Sequence, residues 1–414
     1  MIDVVILAAG EGTRLRPITV TRPKPMIPIA GKPILEWNLK ALKENGFKKV
    51  KIVVGYKREV IENYFGDEFS GIKIEYVTQK EQLGTAHAVK LLEDKVDDNF
   101  LVMNGDIIVS SDFLQDFLRK IEVNDPENAI ALVKVKDPRD FGVVYTSGTK
   151  VVRIEEKPKT FASDLINAGI YIFSQTIFSA IKSIEKSKRF EYEITDAIGK
   201  LIERNVGVNG FRCEGVWIDV GKPWDLLDAN ETVMKEILSE KDFKIDKKAE
   251  IEDFTTLKGK VHIGKNTIVR SGAYIEGPCY IGDNCILGPN CYVRAFTSLV
   301  GENYVGNAVE IKNSIIMRKT KISHLSYIGD SIIGENCNFG AGTKVANLKL
   351  NESHVKVEIK NKLVSTGRRK FGCVMGDNVK TGINVSIMPG RAIYPNVYID
   401  AGSVVRNTIY GEGY

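Results

Sequence analysis

Beyond Val261, apolar residues return every six positions. Ile263, Val269, Ile275, Ile281, Leu287, Val293 and Leu299 share one phase; Val305, Ile311 and Met317 form a second group, and Met375, Thr381, Ile387, Ile393 and Ile399 a later one. Small residues often follow four positions on, and glycine often follows at once, as in Ile281-Gly-Asp-Asn-Cys285. Neither an α-helix nor an ordinary sheet has this period. A parallel β-helix does, because each short strand sends one side chain inward before a turn.

The residues before about 220 follow another rule. Short apolar runs at Val4 to Ala9, Val50 to Val54, Phe100 to Met103 and Ile130 to Val135 alternate with helical patterns such as Pro33 to Asn45, where Ile34, Trp37, Leu39, Ala41 and Leu42 share a side and Gly46 is a stop. Such β-α-β order predicts a mainly parallel sheet covered by helices, with ligands at the carboxyl ends of the strands. From Pro223 the pattern turns helical and then charged. The expected division is therefore an α/β domain over 1–222, a connecting helix and linker over 223–252, and a β-helix over 253–414.

Composition excludes several classes. Of 414 residues, 43% are hydrophobic and 27% charged, as in globular proteins, and no run approaches a membrane span. The opening MIDVVILAAG has no basic leader or following cleavage pattern, so it reads as a first strand of a cytoplasmic protein. A net charge of +5 with interspersed signs fits phosphorylated substrates as easily as nucleic acid, so charge alone does not decide, and the expectation of small-molecule partners and no nucleic acid rests on the motifs below. Cys279, Cys285 and Cys291 are spaced as members of the repeat, unlike the paired cysteines of structural zinc sites.

After the first strand comes Leu7-Ala8-Ala9-Gly10-Glu11-Gly12-Thr13-Arg14, then Arg22-Pro23-Lys24-Pro25. Glycines let backbone amides approach phosphates, a strand-to-helix position adds favourable partial charge, and Arg14 and Lys24 add fixed charge. The third glycine of the dinucleotide fingerprint is replaced by Arg14, and the Walker lysine-serine pair is missing. The whole string, LAAGEGTRLRP with RPKPM, closely resembles the nucleotidyltransferases that make nucleotide sugars. That resemblance implies nucleotide binding by Leu7, Ala9, Gly10, Gly12 and Thr13, with Arg14 and Lys24 catalytic. Gln79, Gln82, Gly84 and Thr85 in QKEQLGTAHA resemble the segment that reads a pyrimidine base through amide hydrogen bonds.

Asp106 in NGD and Asp219 in WIDVG each end an apolar run and match the family's magnesium ligands; hard carboxylate oxygens beside substrate phosphates suit Mg2+. Bacterial bifunctional relatives carry Asn at the second position, so Asp219 looks more like the thymidylyltransferase branch and leaves UTP and dTTP both open. Gly142, Glu156, Lys157, Asn167 and Gly169 resemble the sugar-phosphate side. The implied chemistry is in-line attack of a sugar 1-phosphate on the nucleotide α-phosphorus, with pyrophosphate leaving and charge stabilisation as the main lever.

The repeat region resembles the left-handed β-helix acyltransferases. Within it Arg294, Lys312, His324, Tyr327, Asn338 and Ala341 closely resemble, in order and spacing, the acetyltransferase half of prokaryotic bifunctional enzymes that acetylate glucosamine 1-phosphate and uridylylate the product. This implies acetyl-CoA as co-substrate, Arg and Lys on the sugar phosphate, His324 as base, and a homotrimer. Leu348 stands where bacterial relatives have Tyr, and the insertion ending in Arg368, Arg369 and Lys370 could grip CoA phosphates or be a solvated turn. The alternatives are a monofunctional thymidylyl- or uridylyltransferase with a trimerising β-helix, and a non-catalytic regulatory subunit.

Overall fold

The computed structural model describes residues 2–412. The chain divides into two compact units: one of residues 1–11, 23–26 and 34–219, the other of 12–22, 27–33 and 220–414. The boundary expected after residue 222 thus falls after Asp219. The connecting helix and linker belong with the β-helix, and so do two excursions near the N-terminus.

The first unit is built on a ten-stranded sheet. Asp3–Ala8 lies between Lys49–Val54 and Asn99–Asn104, with Ile72–Thr78 outside Lys49–Val54, all parallel. The first three of these strands are buried on both faces and read as nearly continuous apolar runs, whereas the outer Ile72–Thr78 alternates buried and exposed residues. Ala8, Val54 and Thr78 stand in register, and Leu7 is level with Asn104. The carboxyl ends of all four parallel strands therefore share one edge, where loops carry the candidate residues. Beyond Asn99–Asn104 the sheet continues through the antiparallel strand Leu165–Ser174. The helix predicted over 33–45 runs Ile34–Glu44 and buries Ile34, Trp37, Leu39, Ala41 and Leu42.

The second unit is a left-handed parallel β-helix with three sheets of eight, eight and seven strands. One turn is three strands: Ile263 stacks on Ile281 and Ile281 on Leu299. From Ile263 to Ile393 every inward Ile, Val and Leu of this stack is fully buried, giving one continuous apolar column. The phases differ from the expected grouping. Val305 and Ile311 continue the first phase, and the slip comes after them: Leu299 stacks on Ile316, not Met317. The turn that follows is one residue short and the column stays in register. A long insertion separates Ile333 from its stacking partner Met375 and contains the hairpin Lys356–Ile359 with Lys362–Ser365.

Corner residues adopt left-handed backbone, and many are asparagine, which tolerates it. Asn378 lies between Asn336 and Asn396 in a hydrogen-bonded ladder of 2.9 and 3.0 Å. All six cysteines are free and buried, and burial pushes the Cys279, Cys285 and Cys291 thiols up to about 12, 11 and 12. They pack as small hydrophobes. Truncating one rung, Ile328→Ala, should cost about 2–5 kcal/mol, as buried Ile-to-Ala changes do; a lowered thermal midpoint for full-length protein checks this.

Candidate active sites

The first site is assembled by close backbone approach. Gly105 N–H donates to Leu7 C=O at 2.8 Å, and a Cβ at Gly105 would lie 2.8 Å from that same oxygen. Only glycine lets the 104–106 turn sit against the end of the first strand. Asp106 follows directly. The short strand Ile107–Val109 pairs antiparallel with Trp217–Asp219, and Asp219 is opposite Ile107. Two carboxylates distant in sequence thus become neighbours on one ladder.

Lys24 joins them. Its side chain is almost wholly buried, its Nζ donates to Asp106 Oδ2 at 2.7 Å, and it lies 3.9 Å from Asp219 Oδ1. Burying an ammonium costs several kcal/mol unless it is paired, and the carboxylates supply that pairing. Both remain partly exposed, at 42% and 29% of the side chain. No cluster of three or more potential metal ligands occurs among the described residues. Two hard carboxylates fit Mg2+, which keeps water and takes phosphate oxygens rather than needing a full protein cage.

Thr13 and Arg14 lie in the second unit, on the single 3-10 turn Thr13–Leu15, with Arg14 exposed. The expected helix start, and with it the helix-terminal charge, is not there. Gly12, in left-handed conformation, accepts from Leu15 N–H and from Thr19 Oγ1, each at 2.9 Å, which tightens the turn. In the first unit Ala9 C=O accepts from Tyr56 N–H, and Gly10 has open space where a Cβ would be.

On the base side, Gln79 N–H donates to Val54 C=O at 2.7 Å, continuing the parallel ladder past the strand end. Gln82 Nε2 donates to Gln79 C=O, and Thr85 Oγ1 accepts from Ile194 N–H. Gly84 has φ +107, and a Cβ there would strike the Tyr192 backbone at 2.5 Å. His87 meets the Gln79 amide at 2.9 Å.

On the sugar side, Gly142 is opposite Glu156 in register, and a Cβ on it would lie 3.0 to 3.6 Å from Thr195, Glu156 and Asn167. Asn167 Oδ1 accepts from Gly169 N–H at 2.9 Å, and its Nδ2 donates to the buried Tyr171 hydroxyl at 2.6 Å. Lys157 lies 3.3 Å from Glu156. Three further residues were missed. Arg189 reaches Glu156 at 2.9 Å and Glu193 at 2.7 Å, and Thr195 Oγ1 donates to Glu156. Burial pushes the Glu193 carboxyl up. The acidic and apolar alternation of EYEITD was the available signal.

In the β-helix, Arg294 and Lys312 occupy equivalent places on successive rungs of one sheet. Arg294 pairs with Glu310 at 3.0 Å and Lys312 with the buried Asp330 at 3.6 Å. Asp330 also accepts from Asn313 and Asn347, and Asn347 donates to Tyr327 Oη at 3.1 Å. Desolvation raises the Tyr327 phenol above its ordinary range. His324 is exposed and ends a strand of the neighbouring sheet, next to Asn307. Asn338 heads the next strand of that sheet, and Ala341 is at the corner after it. The six residues therefore lie on two adjacent faces around one edge. Arg368 pairs with Asp228 at 2.5 Å and Arg369 with Glu352, so both guanidinium groups of the insertion already have carboxylate partners.

Residues 3–236 match the nucleotidyl transferase family, and residues 275–409 match the GMPPB C-terminal domain. The chain belongs to the nucleotidyl transferase family, in its bifunctional sugar-1-phosphate nucleotidylyltransferase/acetyltransferase branch. It is 46% identical over 408 residues to the bifunctional protein GlmU of Methanocaldococcus jannaschii, covering 98% of this chain and 95% of that one. The bifunctional sugar-1-phosphate nucleotidylyltransferase/acetyltransferase of Sulfurisphaera tokodaii is 42% identical over 410 residues, 98% of each chain. A solved UDP-glucose pyrophosphorylase, 25% identical, matches 57% of this chain and 99% of its own with a TM-score of 0.53. No helix of the described residues is long and apolar enough to cross a membrane.

Asp106→Asn and Asp219→Asn should each lower nucleotidyl transfer by about 10²-fold or more, the scale for losing a transition-state charge contact. Pyrophosphate release at saturating magnesium, with circular dichroism unchanged, is the measurement; wild-type turnover in either variant removes that residue from the site.

Proposed function

We propose that the chain acetylates glucosamine 1-phosphate, or an epimer, with acetyl-CoA, and then condenses the N-acetylated sugar phosphate with UTP or dTTP to a nucleotide sugar and pyrophosphate. The observation that carries the nucleotidyl half is the buried Lys24 beside Asp106 and Asp219 at the strand ends. Lys24 and Arg14 are assigned to the triphosphate, and Gln79, Gln82, Gly84 and Thr85 to the base. Glu156, Lys157 and Asn167, with Gly142 and Gly169 shaping the wall, are assigned to the sugar phosphate. Asp106 and Asp219 would hold Mg2+, which when bound would supply charge neutralisation for the phosphates. A sugar-phosphate oxygen attacks the α-phosphorus and pyrophosphate leaves, so no covalent enzyme intermediate is needed.

The acetyl transfer needs a neutral imidazole. His324 takes the proton as the sugar amine attacks the thioester carbonyl, and the CoA thiol leaves. Arg294 and Lys312 are assigned to the sugar phosphate, and Tyr327, Asn338 and Ala341 to the remaining wall. Full-length similarity to proteins named as bifunctional, one of them for both activities, favours this reading over a monofunctional enzyme. Incubating the protein with acetyl-CoA and a panel of amino-sugar 1-phosphates should release free thiol with at least one of them. His324→Ala should lose about 10²- to 10⁴-fold of that activity while nucleotidyl transfer from a ready-made N-acetylated sugar phosphate persists. Acetylation at the wild-type rate in that variant would remove His324 from the role.

The trimer is proposed through the edge between the sheets that carry His324 and Tyr327. Phe254, Leu325 and Ile383 project from that edge, 88%, 59% and 56% exposed. Phe254 and Leu325 hold left-handed backbone, costly for bulky side chains without a return. Leu325→Asp with Phe254→Asp should give a folded monomer by light scattering. A trimer that survives both changes places the interface elsewhere.

A further inference from the structure

Gln79 is 3% exposed, and its Nε2 has two neighbours. It donates to Gly84 C=O at 3.2 Å and meets His87 Nδ1 at 2.9 Å. A carbonyl oxygen can only accept, so the Gly84 contact identifies the inward atom of the amide as its nitrogen. The second N–H of that nitrogen then points at His87, which must receive it on an unprotonated Nδ1. Both amide hydrogens are used inside the protein. Oε1 has no intramolecular partner among the described residues and is not sealed from solvent.

We propose that His87 is a positioning residue for base recognition: its unprotonated Nδ1 fixes the Gln79 amide with nitrogen inward, so that only an acceptor oxygen meets the base. This rests on the reading that the 79–85 segment binds the nucleotide base. An acceptor at that place pairs with the imide N3–H that uracil and thymine share. Cytosine puts a lone pair there, and the two acceptors repel. Discrimination between the two pyrimidine classes thus depends on which way one amide is turned, and a glutamine alone turns either way.

The surroundings of His87 favour the required state. Burial lowers its pKa, and Lys90, one helical turn on, and Lys186, from the segment before Tyr192, act in the same direction. Glu81 opposes them through its charge and a backbone hydrogen bond, and Glu93, Asp94 and Lys95 line the same hollow. The segment itself is rigidly placed, since Tyr192 N–H donates to Leu83 C=O at 2.7 Å and Ala86 N–H to Tyr192 C=O at 2.9 Å. Protonating His87 turns Nδ1 into a donor facing a donor, and the amide must rotate. The KM for UTP should then rise as pH falls through the His87 pKa, which lies below the usual 6.5, and be flat above it.

The test is steady-state kinetics with UTP and CTP on full-length wild type and on the variants His87→Ala, His87→Asn and Gln79→Ala. His87→Ala should raise the KM for UTP about tenfold, the scale of one neutral hydrogen bond, with kcat within about twofold, and lower the UTP-over-CTP preference. His87→Asn, whose amide oxygen can stand where Nδ1 does, should restore the preference and abolish the acid rise in KM. Should Gln79→Ala lose the preference while His87→Ala keeps it, the role given to His87 is overturned. Should Gln79→Ala keep it too, the base-binding reading itself fails. If His87→Ala lowers kcat equally for both nucleotides, or does not fold, and His87→Asn retains the wild-type acid rise, His87 is merely structural.

Discussion

A buried ammonium between two carboxylates is the constraint on which the nucleotidyl half depends. Lys24 has lost nearly all its water, and neither Asp106 nor Asp219 is near it in sequence. Holding that charge requires the antiparallel ladder of Ile107–Val109 with Trp217–Asp219, which ties the first sheet's central strand to the last strand of the unit. It also requires Gly105 against Leu7, because a side chain at 105 would push Asp106 off the strand end. The fold of residues 34–219 can be read as the scaffold that brings two acidic strand ends within reach of one lysine. Electrostatic preorganisation of this kind is the main lever in phosphoryl-type chemistry, where no covalent intermediate shares the work.

Much of this was legible because local patterns carry it. The period of six announces a prism because every strand obeys the same local rule, and the alternation of Val50 to Val54 with Pro33 to Asn45 announces parallel strands. The slip from Ile311 to Ile316 was less legible. Met317, also fully buried, keeps the period of six on paper, and only stacking on Leu299 shows that Ile316 holds the rung. That residues 12–22 and 27–33 belong to the second unit was not legible at all. Residues 12–22 fold with the β-helix, where Arg22 is buried between Glu335 and Asp377, over three hundred residues away. Burial would lower the Arg22 pKa, and the two carboxylates more than reverse this. An ion pair across that separation leaves no periodic trace.

The candidate sites divide along the same line. Asp106, Asp219, Gly142 and Gly169 lie in motifs whose glycines and strand ends have local reasons. Arg189, Glu193 and Thr195 act on Glu156 only through the turn of the chain after Ile181, and their role appears once distances do. His87 shows the same limit. A histidine on the helix Thr85–Lys90 has no distinctive spacing, and its meaning comes from the atom it faces.

The two halves hold their cations by different means. Strand-end loops in the first unit bring two acids to one buried lysine. The β-helix has no such loops at Arg294 and Lys312; it has rungs, which place side chains on a regular lattice about 4.8 Å apart. Equal charges at that spacing repel, and the sheet answers by pairing each cation with its own acid, Glu310 for Arg294 and Asp330 for Lys312. The two ion pairs are not equivalent. Glu310 is partly exposed and solvated, so releasing Arg294 from it costs little, whereas Asp330 is buried and held by Asn313 and Asn347 as well. Arg294 is thus the more loosely held cation of the two, and Lys312 the one whose position the core has set.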